Sequence, residues 1–377
     1  LLFAKSSKTR NAGDTLIFID EIQNSPKAIS LLRYFYEECP EFFVIAAGSL
    51  LENVIDIKAS FPVGRVQYLS MHPCSFREFL SAIGKESLLP LMDTPELTVP
   101  LHNELMHQFN QYILVGGMPE AVALYSKTYD IIALDDVYAA LLRSYKDDVE
   151  KYVRGNKLNE VVRFVLESGW RKAGETITLS NFSNSSYCSR DVGEAIRLLE
   201  KAMLVELVYP TTVTSAPIMP EHNRMPKLIW FDTGLVNYAS GIRSDIIAVN
   251  DILDLWKGRI AEHIVAQELL ALNNRIDVRR SFWVRGKGGD SAEIDFIYQK
   301  DSRVYPIEVK AGRNSHLRSI HSFINASNID VGIRVWSGPY SIEQQYTTLL
   351  QKPFRLVNLP FYLVNRLDSV LWHRGRN

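Results

Sequence analysis

A chain of 377 residues exceeds the size at which one hydrophobic core keeps growing, so two or three domains are expected. With 46% hydrophobic and 23% charged residues the composition is that of an ordinary globular protein and excludes a disordered or fibrous one. A formal net charge of -1 excludes a positive field over the whole molecule, so a nucleic-acid partner would have to be held by a local basic patch.

The three cysteines, Cys39, Cys74 and Cys188, form no C-x-x-C pair, and the reading is reduced thiols inside a cell. The longest apolar run, FFVIAAGSLL at 42–51, is far short of the ~20 residues a membrane helix needs, so no span is expected. The start, LLFAKSSKTRNAGDT, lacks the organisation of a secretory signal, which predicts a cytoplasmic location.

In chain order, residues 15–19 read as a buried strand. Ser25 and Pro26 supply an N-cap and a first-turn proline for a helix through Leu31, Leu32, Phe35 and Tyr36. Residues 42–47 form a second strand, and strand, helix, strand in short succession predicts a parallel sheet with covering helices. A third strand is expected at 66–69, before a helix that begins near Ser75. From 101 to 152 the pattern is helical, broken by GGMPE at 116–120. Residues 159–209 read as a winged-helix or helix-turn-helix module whose second helix lies within SRDVGEAIRLLEK and runs into a strand at 204–209. The stretch 211–226 is a wing or linker. Then come a strand ending in a glycine turn (KLIWFDTGL), a long helix at 257–273, strands at 278–284, 292–299 and 304–310, a helix at 316–324 and a strand at 331–336. The C-terminal third is thus expected to be a separate α/β unit.

Two patterns carry chemistry. In a parallel sheet, ligands bind beyond the carboxyl ends of the strands, and LIFIDEIQ delivers Asp20 and Glu21 to that edge. An apolar strand ending in Asp-Glu matches a Walker B element, in which the Asp holds Mg²⁺ and the Glu polarises the attacking water. The alternative is a solvated loop pair. At the end of the second strand, Gly48 and Ser49 form either a phosphate sensor or a plain turn. A G-x-x-x-x-G-K-[ST] loop should lie upstream of Walker B, and KASFPVGR at 58–65 is no substitute for it. This chain by itself is therefore expected to bind ATP poorly, its phosphate-binding segment either cut away or lost.

The second pattern is AEIDFIY followed by YPIEVK. Side chains alternate across a strand, so Glu293 with Asp295, and Glu308 with Lys310, each point to one face, and Ile294, Phe296, Ile307 and Val309 to the other. Glu262 adds an acid beside an apolar helical stripe of Val265, Ala266 and Leu269. A helical Glu, a strand Asp and E-x-K on the next strand are the parts of a PD-(D/E)xK nuclease, though Ile294 stands where the Pro would be. Carboxylates suit Mg²⁺, and Lys310 would stabilise developing negative charge. The alternative is a half-exposed sheet with polar residues outward. Between Arg275 and Arg318 there are ten Lys or Arg against six Asp or Glu, which favours a polyanion partner, with a solvated sheet edge as the alternative. His263 reads as a core or surface histidine and not as a ligand.

Together LIFIDEIQ, AAGSLL, GRVQYLSMHPCSFREFL, YILVGGMPEAV, LLRSYKDDVEKY, IWFDTGL, KGRIAEHIVAQEL and AEIDFIYQKDSRVYPIEVKAG span nearly the whole chain. The combination resembles the prokaryotic AAA-type ATPases that carry a C-terminal domain of unknown function with a nuclease-like fold. The resemblance implies an α/β chain: the remainder of a P-loop AAA core at 1–80, a helical lid at 81–155, a winged-helix-like module at 156–215 and a PD-(D/E)xK-like domain at 225–377. It implies ATP and Mg²⁺ as cofactors and a Walker A segment before Leu1. Asp20 and Glu21 become Walker B residues, Ser49 a sensor and Arg65 a lid or trans-acting arginine, with a solvated strand-edge residue as the alternative for Arg65. Glu262, Asp295, Glu308 and Lys310 become the nuclease-like positions, Asp295 and Glu308 holding metal. In the winged-helix-like segment Arg190 and Arg197 are candidates for DNA phosphates. Expected partners are DNA, another protein or further copies of the chain, with no membrane. Three readings compete: an ATPase driving the C-terminal half, a non-enzymatic scaffold with a degenerate nuclease fold, and a Mg²⁺-dependent nuclease.

Overall fold

The computed structural model describes residues 15–48, 64–93, 97–153, 155–243, 258–272, 279–286, 292–300, 302–310 and 317–372. It is a mixed α/β structure with one large sheet and many helices. At the start, β1 (Leu16–Ile19) pairs in parallel with β2 (Phe43–Ala46), and α1 (Pro26–Glu38) makes the crossover between them. Ser25 caps α1, its Oγ accepting from Ala28 N at 3.3 Å, and Pro26 opens the first turn where its missing N–H costs nothing. Ile19 and Ala46 pack toward Ile22 and Ile29, whereas Leu16, Phe18, Phe43 and Ile45 on the opposite face are half or more exposed. Among the described residues, the strand expected to be buried is therefore covered on one side only. Residues 66–70 form no strand. Among the described residues no strand forms a ladder with this β-prone stretch, and composition by itself does not make a strand.

Ser75 and Glu78 then form a capping box for α2 (Phe76–Ala82), Glu78 Oε2 accepting from Ser75 N at 2.8 Å. Three helices follow: α3 (Val99–Val115), α4 (Pro119–Thr128) and α5 (Asp135–Tyr152). Next come α6 (Asn156–Ser168) and α7 (Ser189–Lys201), which pack on one another before β3 (Val205–Thr211) and β4 (Lys227–Trp230). The remaining elements are α8 (Thr233–Ala239), α9 (Arg259–Ala271), β5 (Ser281–Val284), β6 (Glu293–Lys300), β7 (Arg303–Lys310), α10 (Arg318–Ala326), β8 (Val331–Trp336), β9 (Ser341–Tyr346), β10 (Pro353–Pro360) and α11 (Leu367–Trp372). Among the described residues no helix is long and apolar enough to cross a membrane.

The eight-stranded sheet has the order β4-β3-β5-β6-β7-β8-β10-β9. The β3–β5, β7–β8 and β8–β10 pairs are parallel and the others antiparallel. A C-terminal unit starting at 225 would leave β3 outside, yet β3 joins β4 to β5, and one continuous core runs from Phe76 to Leu367. The GGMPE and DTGL segments are two halves of a joint between helices and sheet. Asp232 Oδ1 caps α8 by accepting from Leu235 N at 2.8 Å, and its Oδ2 accepts from Gly117 N at 2.6 Å. Gly116 has φ 67, the left-handed region that favours glycine, and an added Cβ there would lie 2.5 Å from Asp232 Oδ1. At Gly234 it would lie 2.4 Å from Val115 O. Burial pushes the Asp232 carboxyl up to about 6 against the backbone N–H groups that stabilise its charge.

Candidate functional site

The β6–β7 hairpin sets Phe296 opposite Ile307, which brings Asp295 and Glu308 to the next position across the ladder. Ile294, Phe296, Ile307 and Val309 are buried, and so are Asp295 and Glu308, where α9 packs on β7 and α10 on β6 and β7. Asp295 Oδ2 accepts from Val309 N at 2.7 Å, and Glu308 Oε1 lies 2.6 Å from Lys310 Nζ. The first turn of α9 contributes Glu262, whose charge is felt by Glu308 and Lys310. Thus Glu262, Asp295, Glu308 and Lys310 meet in one cluster.

Lys227, at the start of β4, is a residue that sequence reasoning missed. Its side chain is only 4% exposed, and its Nζ lies 3.1 Å from Glu262 Oε2, 2.8 Å from Glu293 Oε1 and 3.7 Å from Asp295 Oδ1. The ammonium also sits 4.9 Å from the centre of the Phe282 ring. Its one sequence signal is a lysine heading an otherwise apolar strand, KLIW, which by itself does not distinguish a buried ion pair from a solvated strand end.

Four carboxyls here face two ammoniums, so full ionisation would leave uncompensated charge under cover. Burial, then the Asp295 charge, pushes Glu262 up to about 7 against the pull of Lys227. The same two causes push Glu308 up to about 8, with Lys310 opposing. Asp295 is raised by burial, against Lys227, the Val309 N–H and Lys310. Burial works to lower Lys227, yet Glu262, Asp295 and Glu293 hold it well above the ordinary lysine range. The oxygen donors fit Mg²⁺, and Glu308 Oε2 is buried without a hydrogen-bond partner. The donors nonetheless surround an ammonium, and among the described residues no three acidic, His or Cys side chains converge on a metal position as they stand.

His263, next to Glu262, is a fully buried core histidine. Its Nε2 accepts the Trp230 N–H at 3.1 Å, so the ring proton is on Nδ1, which donates to Thr233 Oγ1 at 2.8 Å. That hydroxyl donates to Gln267 Oε1 at 2.9 Å, and burial lowers the imidazole to about 3. One turn on, Glu268 Oε1 accepts from Phe76 N at 2.9 Å and from Tyr112 OH at 2.9 Å. Helix α9 therefore offers Glu262 to the charge cluster and uses His263, Gln267 and Glu268 to fasten itself to β4, α8 and the start of α2.

At the N-terminal pair, Asp20 and Glu21 stand exposed just beyond β1, and Asp20 Oδ1 accepts from Glu21 N at 3.0 Å. Glu21 has φ 49, and its Oε2 accepts from Gln23 Nε2. Ile22 N donates to Ala47 O at 3.0 Å, and a Cβ on Gly48 would lie 2.0 Å from Gln23 Oε1, so the ends of the two strands are adjacent. Ser49 lies outside the described residues. Arg65 reaches back to α1, its Nε 2.6 Å from Glu37 Oε1, a carboxylate that Arg33 also holds at 2.9 Å. Arg190 and Arg197 are both exposed on α7 seven residues apart, hence on one face, with Glu194 between them. Asp191 is paired with Lys157.

Residues 2–80 match the family model of an AAA domain. Residues 106–246 match a domain of unknown function (DUF8612), and residues 257–353 match a second (DUF4143). No curated protein and no solved structure matches the chain. The first segment is thus similar to an AAA domain, and the eight-stranded sheet takes β3 and β4 from the first region of unassigned function and β5–β9 from the second, with β10 running past it.

Proposed function

We propose that this chain belongs to an ATPase that uses ATP binding and hydrolysis, with Mg²⁺, to drive its winged-helix-like and nuclease-like half on DNA. The observation that supports this is the AAA-domain match over a parallel strand pair with Asp20 and Glu21 just beyond its carboxyl ends. In this reading Asp20 holds Mg²⁺ through water, Glu21 polarises the attacking water, Ser49 senses the γ-phosphate and Arg65 acts at the lid or on a neighbouring copy. The reading needs a phosphate cradle of the form G-x-x-x-x-G-K-[ST], which residues 1–377 do not contain. The test is ATP turnover by protein that carries such a loop. Glu21→Gln should lower hydrolysis by roughly a hundredfold while nucleotide stays bound, and turnover that survives the substitution removes Glu21 from the chemistry.

A second reading has its own support in the convergence of Glu262, Asp295, Glu308 and Lys310. It is Mg²⁺-dependent phosphodiester cleavage, with Asp295 and Glu308 holding the ion and Lys310 stabilising the charge that develops. Arg190 and Arg197 would contact phosphates and fix the register of the duplex. Incubation of the protein with duplex DNA and Mg²⁺ should yield cleavage that Asp295→Ala and Lys310→Ala each abolish. If the complete protein neither hydrolyses ATP nor cuts DNA, the remaining role is a scaffold that binds a protein partner or further copies of itself.

A further inference from the structure

Three of the four carboxylates of the C-terminal cluster, Glu262, Glu293 and Asp295, are arranged about Lys227. Its ammonium lies 3.1 Å from Glu262 Oε2 and 2.8 Å from Glu293 Oε1, with Asp295 Oδ1 at 3.7 Å. Of these three acids, Asp295 is one of the two that hold the metal in the nuclease-like reading, and Glu262 is another of that reading's site residues.

The lysine is held there by its backbone. On one side Val208 of β3 pairs with Lys227. On the other, Ile177 N donates to Pro226 O at 2.8 Å, Leu228 N donates to Glu175 O at 2.9 Å and Gly174 N donates to Leu228 O at 2.8 Å. Residues 174–177, which follow α6, therefore clamp the strand that carries the ammonium. Even with Lys227 and Lys310 present, the acids of the cluster outnumber the cations, and Glu308 Oε2 is buried with no partner. At full ionisation four carboxyls against two ammoniums leave two charges uncompensated, and the best-coordinated cation of the cluster is a side chain.

We propose that the Lys227 ammonium is a built-in cation at this site that competes with a divalent metal ion for Glu262 and Asp295, so that metal enters only as Lys227 withdraws. The inference rests on the nuclease-like reading of the cluster and adds its regulation: a displacement of the 174–177 clamp would move Lys227 and open the site.

The test is calorimetric titration of metal-stripped protein with Mn²⁺. Lys227→Met should bind one Mn²⁺ per chain roughly tenfold or more tighter than the wild type, since removal of a unit charge at this range strengthens the attraction of the remaining acids. Asp295→Asn in that background should abolish the site, and Lys227→Arg should bind no more tightly than the wild type. Should Lys227→Met fail to fold, the wild type answers alone. Reductive methylation mapped by mass spectrometry should leave Lys227 protected without metal and label it several-fold faster in millimolar Mn²⁺. The proposal is overturned if Lys227→Met binds Mn²⁺ no better than the wild type, or if methylation of Lys227 is indifferent to Mn²⁺. A tight, Asp295-dependent Mn²⁺ site in the wild type also overturns it, while leaving the nuclease-like reading in place.

Discussion

Glu268 is a buried carboxyl with no cation among its partners: Phe76 N and Tyr112 OH serve Oε1, and Oε2 has none. Burial pushes it up to about 7, from an ordinary value of 4.5. Between those values the unfolded chain is ionised while the folded one keeps its proton, so Glu268 lowers stability as pH rises through the window. Chemical unfolding should show that Glu268→Gln, relative to the wild type, gains about 2 kcal/mol on going from pH 5 to pH 8. A constant difference between the two proteins across that range would place the proton elsewhere. None of this was visible in KGRIAEHIVAQEL, where the helical period shows an apolar stripe but not which acids beside it meet a cation. His263 shares the reason: its role as acceptor for Trp230 depends on a strand brought to it from 33 residues away.

Among the elements, the joint between α3 and α8 leaves little room. At Gly117 a Cβ would lie 2.3 Å from Cys74 O and 2.8 Å from Cys74 N, both backbone atoms that cannot swing aside. The same residue donates to Asp232 and accepts from Cys74 N at 2.7 Å. Gly117→Ala should therefore cost about 1–3 kcal/mol in urea unfolding, and a midpoint equal to that of the wild type would show that the backbone gives. GGMPE was legible as a helix break, since two glycines and a proline interrupt an amphipathic pattern. That the break docks against DTGL was not, because nothing local records which distant backbone it must admit. Short-range signals located the caps, as at Ser25-Pro26 and in the S-x-x-E box at Ser75. The strand expected at 66–69 had the composition but, among the described residues, no partner strand. In the reverse sense β9, SIEQQY, exists by pairing with β10 and carries no apolar alternation of its own.

At the scale of the whole molecule, α9 links the segments. Phe76 belongs to the AAA-matched stretch and donates to Glu268, while Glu262 on the same helix enters the charge cluster. If ATP turnover drives the C-terminal half, the two proposed activities must be coupled in one direction. Asp295→Ala should leave ATP turnover near the wild-type rate, whereas Glu21→Gln should reduce hydrolysis and DNA processing together, measured on the same preparation. Full DNA processing by Glu21→Gln would separate the halves functionally despite their contact.

By itself the sequence determined the alternation of strand and helix near the N-terminus, the helix caps, and the placing of Glu293, Asp295, Glu308 and Lys310 on adjacent strands. These follow from backbone sterics, capping hydrogen bonds and side-chain alternation, which act within a few residues of one another. Only the tertiary structure decided that β3 and β4 extend the C-terminal sheet, that Arg65 lies on Glu37, and that Lys227 stands among the acids. The ion pairs among these join residues 28 to 68 positions apart, and at that separation the pairing of a charge is chosen by how strands and helices pack and not by what flanks it in the chain.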